Sequence, residues 1–336
     1  MRAVHYEDVD RLSLREAEPV PLGAGDVLLA VEACGICGSD VASLLQGHYV
    51  EPGQVLGHEM SATVLEMGAE LASEGTLEVG TRVAVRPARA CGRCSYCRDG
   101  APQLCGQSRA RTLGYGAPGG YADAVLVRDV VVGADVLPVP ADVPAEEVLW
   151  AEPLAVALRG LSRAGGSGLS SLLVLGGGSV GLCVVAAGLA TGVADVALVE
   201  PRADRRAAAE SLGARAVAPG ERLSRTDHDA VVDSSGVPAA LVAALQWLKP
   251  GARAVLLGLG DRPVPWPVGP VELVTSFAYT DDDFRAAVDH IVSRRVRLGR
   301  LVTHRYGLAD TADAIRASAR EPGVVKAAVF PGLDRA

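Results

Sequence analysis

Leu172-Leu173-Val174-Leu175-Gly176-Gly177-Gly178-Ser179-Val180-Gly181 runs from an apolar strand through a glycine turn into a helix, and its reading decides the fold of the second half of the chain. In this G-x-G-x-x-G, Gly176 permits a tight turn, Gly178 lets a pyrophosphate approach the backbone, and Gly181 lets the helix pack close to the strand. Ser179 and Val180 open that helix, where free N–H groups and the dipole favour an anion. A glycine-rich surface turn looks the same in isolation. Here Glu200 closes the next apolar run about twenty residues on, where a carboxylate hydrogen-bonds the ribose diol of NAD and repels the 2′-phosphate of NADP. Arg202, Arg205 and Arg206 follow it, either as a solvated helix face or as partners for such a phosphate.

Around that motif, apolar runs at 172–175, 196–199, 230–232 and 254–257 alternate with Ala- and Leu-rich helical runs at 180–190, 205–212 and 239–248. This alternation predicts an α/β domain with a parallel sheet covered on both faces. Ser234-Ser235-Gly236 and Gly258-Leu259-Gly260 end two of these strands on the carboxyl side, so Ser234 and Gly258 join the expected cofactor site. Beyond 281 come a helix at 284–294, a strand at 301–303, a helix at 309–319 and a strand at 324–330. Before 150 the texture differs. Short β-prone runs at 27–31, 62–65, 82–85 and 124–127, separated by turns, predict a barrel or sandwich. The Pro-rich stretch 138–144 reads as a connector into a helical segment at 145–161.

At 336 residues the chain suits two domains, and 49% hydrophobic with 21% charged residues is a globular composition. A net charge of −8 argues against nucleic acid or an anionic membrane as partner. The run between Arg163 and Asp195 carries no charge, but its many glycines suit strand, turn and helix better than a membrane span. No apolar signal-peptide core follows Met1, so a cytoplasmic protein is expected, and its seven cysteines point to metal or reactivity before disulfides.

Cys91-Gly-Arg-Cys94-Ser-Tyr-Cys97 and Cys105 supply four thiols in one short lobe, 91–105. A closed tetrahedral Cys₄ set is a structural zinc site with no open position for chemistry; a redox cluster or four free thiols are the alternatives. A catalytic zinc instead keeps an open position and draws ligands from distant parts of the chain. Cys37, His58, Glu59 and Glu152 are candidates. Each alone has an ordinary explanation: a buried thiol, a core histidine, a helix-starting carboxylate. Cys34 and Cys37 together read as a redox pair, half a zinc knuckle, or two buried thiols.

Gly35-Ile36-Cys37-Gly38-Ser39-Asp40, Gly57-His58-Glu59, the four-cysteine lobe, Glu152-Pro153-Leu154 and the glycine motif, in that order, resemble the zinc-dependent medium-chain dehydrogenases. The resemblance spans essentially the whole chain. In the Glu152 setting it is similar to the polyol, threonine, butanediol and aminocyclitol branches. It implies a GroES-like β-rich catalytic domain (1–154 and 290–336), a Rossmann domain (155–289), an active site in the cleft, and a homodimer or homotetramer. It implies two zinc ions per chain, with Cys37 and His58 as fixed ligands of the catalytic one and Glu59 and Glu152 as carboxylates that ligate or hold its water. Ser39 would hydrogen-bond the substrate oxygen and pass its proton. Cys34 then becomes a buried thiol. The implied reaction is hydride transfer between a secondary alcohol (polyol, amino alcohol or cyclitol) and NAD.

Two positions depart from the pattern. Ala42 stands where many relatives carry a proton-relaying histidine, with His48 as a substitute, a substrate contact or a plain loop residue, and Arg159 stands where polyol dehydrogenases usually show histidine. His228 and His290 fall on expected surface and receive no role. Tyr49, Tyr115 and Tyr279 line a pocket or pack. The competing readings are an NADPH-dependent ketone reductase and a non-catalytic zinc- and nucleotide-binding sensor or scaffold. The substrate and the direction of reaction are not encoded in any motif.

Overall fold

The computed structural model describes residues 1–16, 20–258, 263–266 and 269–335. Leu259 and Gly260 lie outside them. The chain divides into two compact units, Met1–Glu152 with Thr280–Ala336, and Pro153–Tyr279. The first boundary falls within the helix Ala151–Ala164. The second lies at 279/280 rather than 289/290, because the helix Asp281–Val292 belongs whole to the first unit; its N-cap Thr280 accepts from the Asp283 N–H and closes a capping box there.

The first unit is built on the strand Val27–Gly35, whose alternate residues are fully buried. It pairs antiparallel with Glu59–Met67 along one side. On its other side Ala124–Val127 pairs with residues 27–30 and Lys326–Val329 with residues 34–35. Arg82–Val85 and Val136–Pro138 extend the sheet beyond Glu59–Met67, and Val302–Tyr306 extends it beyond Lys326–Val329. The predicted runs at 27–31, 62–65, 82–85 and 124–127 all fall in this sheet. Its apolar core includes Leu29, Val31, Met60, Val64, Val83 and Tyr121. The register is decisive for the site. Gly35 stands opposite Glu59 on one side and Ala328 on the other, so segments from both ends of the chain meet at one strand end.

The second unit carries a six-stranded parallel sheet in the order Arg215–Val217, Asp195–Val199, Ser171–Leu175, His228–Asp233, Leu248–Leu256, Glu272–Thr275. Numbered along the unit this is 3-2-1-4-5-6, the doubly wound order, with its switch point beside Ser171–Leu175. The charge-free run resolves into that strand and the helix Ser179–Ala190, buried on all sides from Gly181 to Gly188. Among the described residues no helix is long and apolar enough to cross a membrane. His228 and His290 are buried, not on the surface, the first because its strand begins earlier than its polar flank suggests.

Candidate active site and metal centres

The turn after Val27–Gly35 leads into the helix Gly38–Gln46, with Cys37 at its N-cap. Glu59 starts the neighbouring strand, and His58 is the residue just before it. One ligand atom from each of Cys37, His58 and Glu59 lies within 4.8 Å of the others. Asp40, fully buried, accepts hydrogen bonds from the Cys37 N–H and the Tyr121 hydroxyl, both at 2.8 Å, and lies 3.9 Å from His58 Nδ1. Asp40 thus places a carboxylate behind the imidazole, though His58 Nδ1 itself is buried with no hydrogen-bond partner. Burial pushes the His58 pKa down, but Tyr115, Cys37 and Asp40 outweigh it and raise it well above the usual value. The pocket is electrostatically prepared for a cation.

Glu59 has two dissimilar oxygens. Oε2 is paired with the Lys326 ammonium; Oε1 is buried with no partner. Lys326, only 1% exposed, also donates to the Ile36 carbonyl at 3.0 Å, and its Nζ lies 5.0 Å from the Trp150 ring centroid. A Cβ on Gly35 would run into both the Glu59 carboxylate and Lys326, so the strand must be glycine at the point where the pair crosses it. Ser39 Oγ is also buried and makes no well-formed hydrogen bond. The donor set of sulfur, imidazole and carboxylate, with an unsatisfied carboxylate oxygen and hydroxyl beside it, fits zinc with one open side.

Glu152 stands outside the 4.8 Å group. Burial pushes its pKa up to about 7, with His58 and Lys326 opposing and Glu59 and Asp40 adding. His48 is exposed and sits edge-on to Tyr49, 5.8 Å between centroids; no hydrogen bond among the described residues joins its ring to Ser39. Ala42 lies within the helix Gly38–Gln46. Cys34 is fully buried, which pushes its thiol pKa well up and keeps it inert.

The four lobe cysteines also gather within 4.8 Å of one another. Backbone N–H groups of Arg93 and Cys94 hold the Cys91 pKa at about 6, those of Cys91 and Gln107 bring Cys105 down, and burial pushes Cys97 to about 11. The main chain is thus wound so that its donors face sulfur, which suits a thiolate cage around a metal.

In the second unit Gly176 has φ +89°, a Cβ on Gly178 would meet nothing within 4 Å, and a Cβ on Gly181 would run into the Gly176 carbonyl. Ser179 and Val180 form the first turn of the helix that follows. The Ser234 hydroxyl donates to the Leu175 and Gly176 carbonyls and fixes the turn, while the loop at Gly258 approaches the Gly236 backbone too closely for a side chain. Glu200 is 4% exposed; it accepts from the Gly177 N–H at 2.6 Å and the Arg202 N–H at 2.8 Å, so it braces the glycine turn directly. Arg205 lies beside it with a buried Nε that has no partner.

Sequence reasoning missed Asp40, Tyr121, Trp150 and Lys326. One signal was available for the last: a lysine inside the apolar run Val324-Val325-Lys326-Ala327-Ala328-Val329 must be buried, and a buried lysine needs a counter-charge.

Residues 23–140 match the alcohol dehydrogenase GroES-like domain and residues 179–293 the zinc-binding dehydrogenase domain. Sorbitol dehydrogenase of Bacillus subtilis is 30% identical, over 94% of this chain and 93% of that protein. D-xylulose reductase A of Aspergillus oryzae is 29% identical, over 89% and 88%. Among solved structures, a zinc-binding dehydrogenase of Sinorhizobium meliloti bound to NADP is 28% identical with a TM-score of 0.87, covering 98% of this chain and 99% of the other. The 2R,3R-butanediol dehydrogenase of Bacillus subtilis is 25% identical with the same TM-score, 0.87, over 98% and 99%.

Proposed function

Because this chain belongs to the zinc-dependent medium-chain alcohol and polyol dehydrogenases, and so is an oxidoreductase acting on CH–OH groups, we propose that it interconverts a secondary alcohol of a polyol, amino alcohol or cyclitol and its ketone with NAD. The observation that carries this reading is the meeting of Cys37, His58 and Glu59 beside the unsatisfied Glu59 Oε1 and Ser39 Oγ. Zinc, when bound, supplies polarisation of the C–O group and a lowered alcohol pKa. Cys37 and His58 hold it. Asp40 sets a negative charge behind the imidazole, and Lys326 restrains one Glu59 oxygen while the other stays unpaired. Glu152, with a pKa near neutrality, is the carboxylate able to change partners with protonation. Ser39 Oγ hydrogen-bonds the alcohol oxygen and takes its proton as its own hydroxyl proton passes on to water. Cys91, Cys94, Cys97 and Cys105 hold a second, structural zinc.

For the cofactor, Gly176, Gly178, Ser179, Val180 and Gly181 receive the pyrophosphate, Ser234 and Gly258 shape the adjoining strand ends, and Glu200 accepts from the ribose diol. NADP is the second reading, favoured by the partnerless Arg205 Nε beside Glu200. Titrating the protein with NADH and NADPH, before and after Glu200→Ala, separates the two. NADH is expected to bind the unaltered protein at least tenfold more tightly, and the substitution to remove most of that preference; tighter NADPH binding by the unaltered protein refutes the assignment. Alcohol-dependent NADH formation, lost in Cys37→Ala, tests the reaction itself. A cytoplasmic homodimer or homotetramer is proposed on the resemblance alone, and light scattering reads the assembly directly.

A further inference from the structure

Asp195, Arg215 and His228 each open a strand of the parallel sheet, at the end opposite to the glycine turn and Glu200. The loop before His228 adds Ser224, Arg225, Thr226 and Asp227, which with Asp195 and Arg215 line an open cleft of about 640 Å³. Dinucleotides lie outside the carboxyl ends of such strands, so a cleft at the amino ends is a separate feature. Asp195 receives both arginines, Arg215 Nη2 at 2.6 Å and Arg225 Nη1 at 3.7 Å. Asp227 lies 2.9 Å from Arg225 Nε, but its side chain is 68% exposed, and an ion pair so open to water holds weakly. With Asp227 turned to water, two guanidinium groups converge on one carboxylate. Each has five N–H donors, of which these contacts use only one or two, and Arg225 Nε is buried without a well-formed hydrogen bond.

His228 lies beneath this group. It is fully buried, and neither ring nitrogen has a partner. The charges that act on its ring are those of Asp195, Arg225, Arg215 and Asp227, the four charged residues of the cleft. Burial holds its pKa below the usual value, with Arg225 and Arg215 adding and Asp195 and Asp227 opposing. The neutral ring carries one N–H in either tautomer, and a buried donor normally has an acceptor. A divalent cation does not fit here. Two arginines already face the carboxylates, and among the described residues Asp195, Asp227 and His228 do not gather into a ligand set. Unused donors beneath and beside a pair of guanidinium groups suit an oxyanion instead.

We propose that this cleft binds a phosphate monoester of a small polar molecule, its phosphate held by Arg215 and Arg225 above His228 and its organic part against Ser224 and Thr226. Both hydroxyl residues are exposed on the cleft wall. The cavity has room for more than a phosphate ion. No apolar or aromatic side chain lines it, so nothing there stacks a nucleobase, and a sugar or polyol phosphate fits better than a nucleotide. The site shares no residue with the metal centres or the glycine turn, and it stands whether or not the dehydrogenase reading does.

The test is calorimetric titration of the zinc-loaded protein with glycerol 3-phosphate, inorganic phosphate and glycerol, in an excess of NADH or NADPH, whichever binds more tightly, so that the glycine turn is already occupied. The ester should bind at one site per chain, about threefold or more tighter than inorganic phosphate, and glycerol should not bind. Arg215→Gln combined with Arg225→Gln should weaken the ester by about tenfold or more, the loss of two charge-assisted contacts. His228→Phe, which fills the floor without an N–H, should weaken it by about fivefold. Ser224→Ala with Thr226→Val changes only exposed hydroxyls, leaves the fold intact, and should also cost about fivefold. Dinucleotide affinity, measured in each variant, should stay unchanged and reports that the sheet is still assembled. No binding of the ester by the unaltered protein, or an affinity within about twofold of it in the hydroxyl variant and in whichever other variants keep their dinucleotide affinity, overturns the proposal. Inorganic phosphate binding as tightly as the ester overturns the assignment of an ester.

Discussion

Replacing Lys326 by methionine would leave the Glu59 carboxylate buried without its counter-charge. Both side chains are at most 1% exposed, and the ammonium serves three partners at once: Glu59, the Ile36 carbonyl and the Trp150 ring. Methionine keeps the length of the stem, and its sulfur can still pack on Trp150, so the loss is one of charge and hydrogen bonding, not of volume. Breaking one side of a buried ion pair costs about 3–5 kcal/mol. In a unit of roughly 200 residues that corresponds to a fall in Tm of roughly 6–20 °C. The measurement is urea and thermal unfolding of metal-free protein, since zinc beside Glu59 would partly replace the missing positive charge; the loaded protein should lose less. The double variant Lys326→Met with Glu59→Gln removes the stranded charge and should recover at least half of the loss. A single variant that loses less than about 1 kcal/mol, or a double variant no better than the single, would refute the argument that the pair is an interdependent buried unit.

Other outcomes follow from the same geometry. Cys97→Ser should lower zinc content by about one ion per chain and make the 91–105 lobe the first site of proteolysis, since a Cys₄ site contributes folding energy directly. Gly181→Ala, whose added Cβ meets the Gly176 carbonyl, should lose dinucleotide binding in a fluorescence titration; unchanged affinity would contradict the observed close packing. In Asp229, burial raises the pKa, but Lys249, Ser170 and the Ser171 N–H outweigh it and hold the carboxyl well below its usual range. A depressed folded-state pKa gives stability that is present above about pH 4, the unfolded value, and is lost as pH falls through the folded one. Asp229→Asn should therefore cost about 1–3 kcal/mol at neutral pH and flatten the acid limb of the stability curve; an unchanged acid limb would count against it.

The parts legible in the sequence are those that use local, periodic or closely spaced signals. The strand–turn–helix at 172–190 follows from three glycines with distinct steric duties, and the parallel sheet from the alternation after 171. The four-cysteine lobe follows from spacing alone. The edge strands Arg215–Val217 and Glu272–Thr275 escaped notice because they are short and only partly buried, so they lack the apolar density of their neighbours. In the candidate site, Cys37 and His58 stand in recognisable motifs. Asp40 lies three positions after Cys37 and meets it through the helix cap, but Lys326 lies 290 positions from Ile36, whose carbonyl it binds, and only sheet register brings those two together. The dissimilar surroundings of the two Glu59 oxygens have no sequence signature at all, because they depend on which strand lies on each side of Gly35.

Zinc content of the purified chain, with and without Cys37→Ala, tests the central claim most directly. The account predicts about two ions per chain in the unaltered protein and about one in the variant, the remaining ion held by the four-cysteine lobe. About one ion in both would mean that Cys37, His58 and Glu59 meet without holding a metal, and would contradict it.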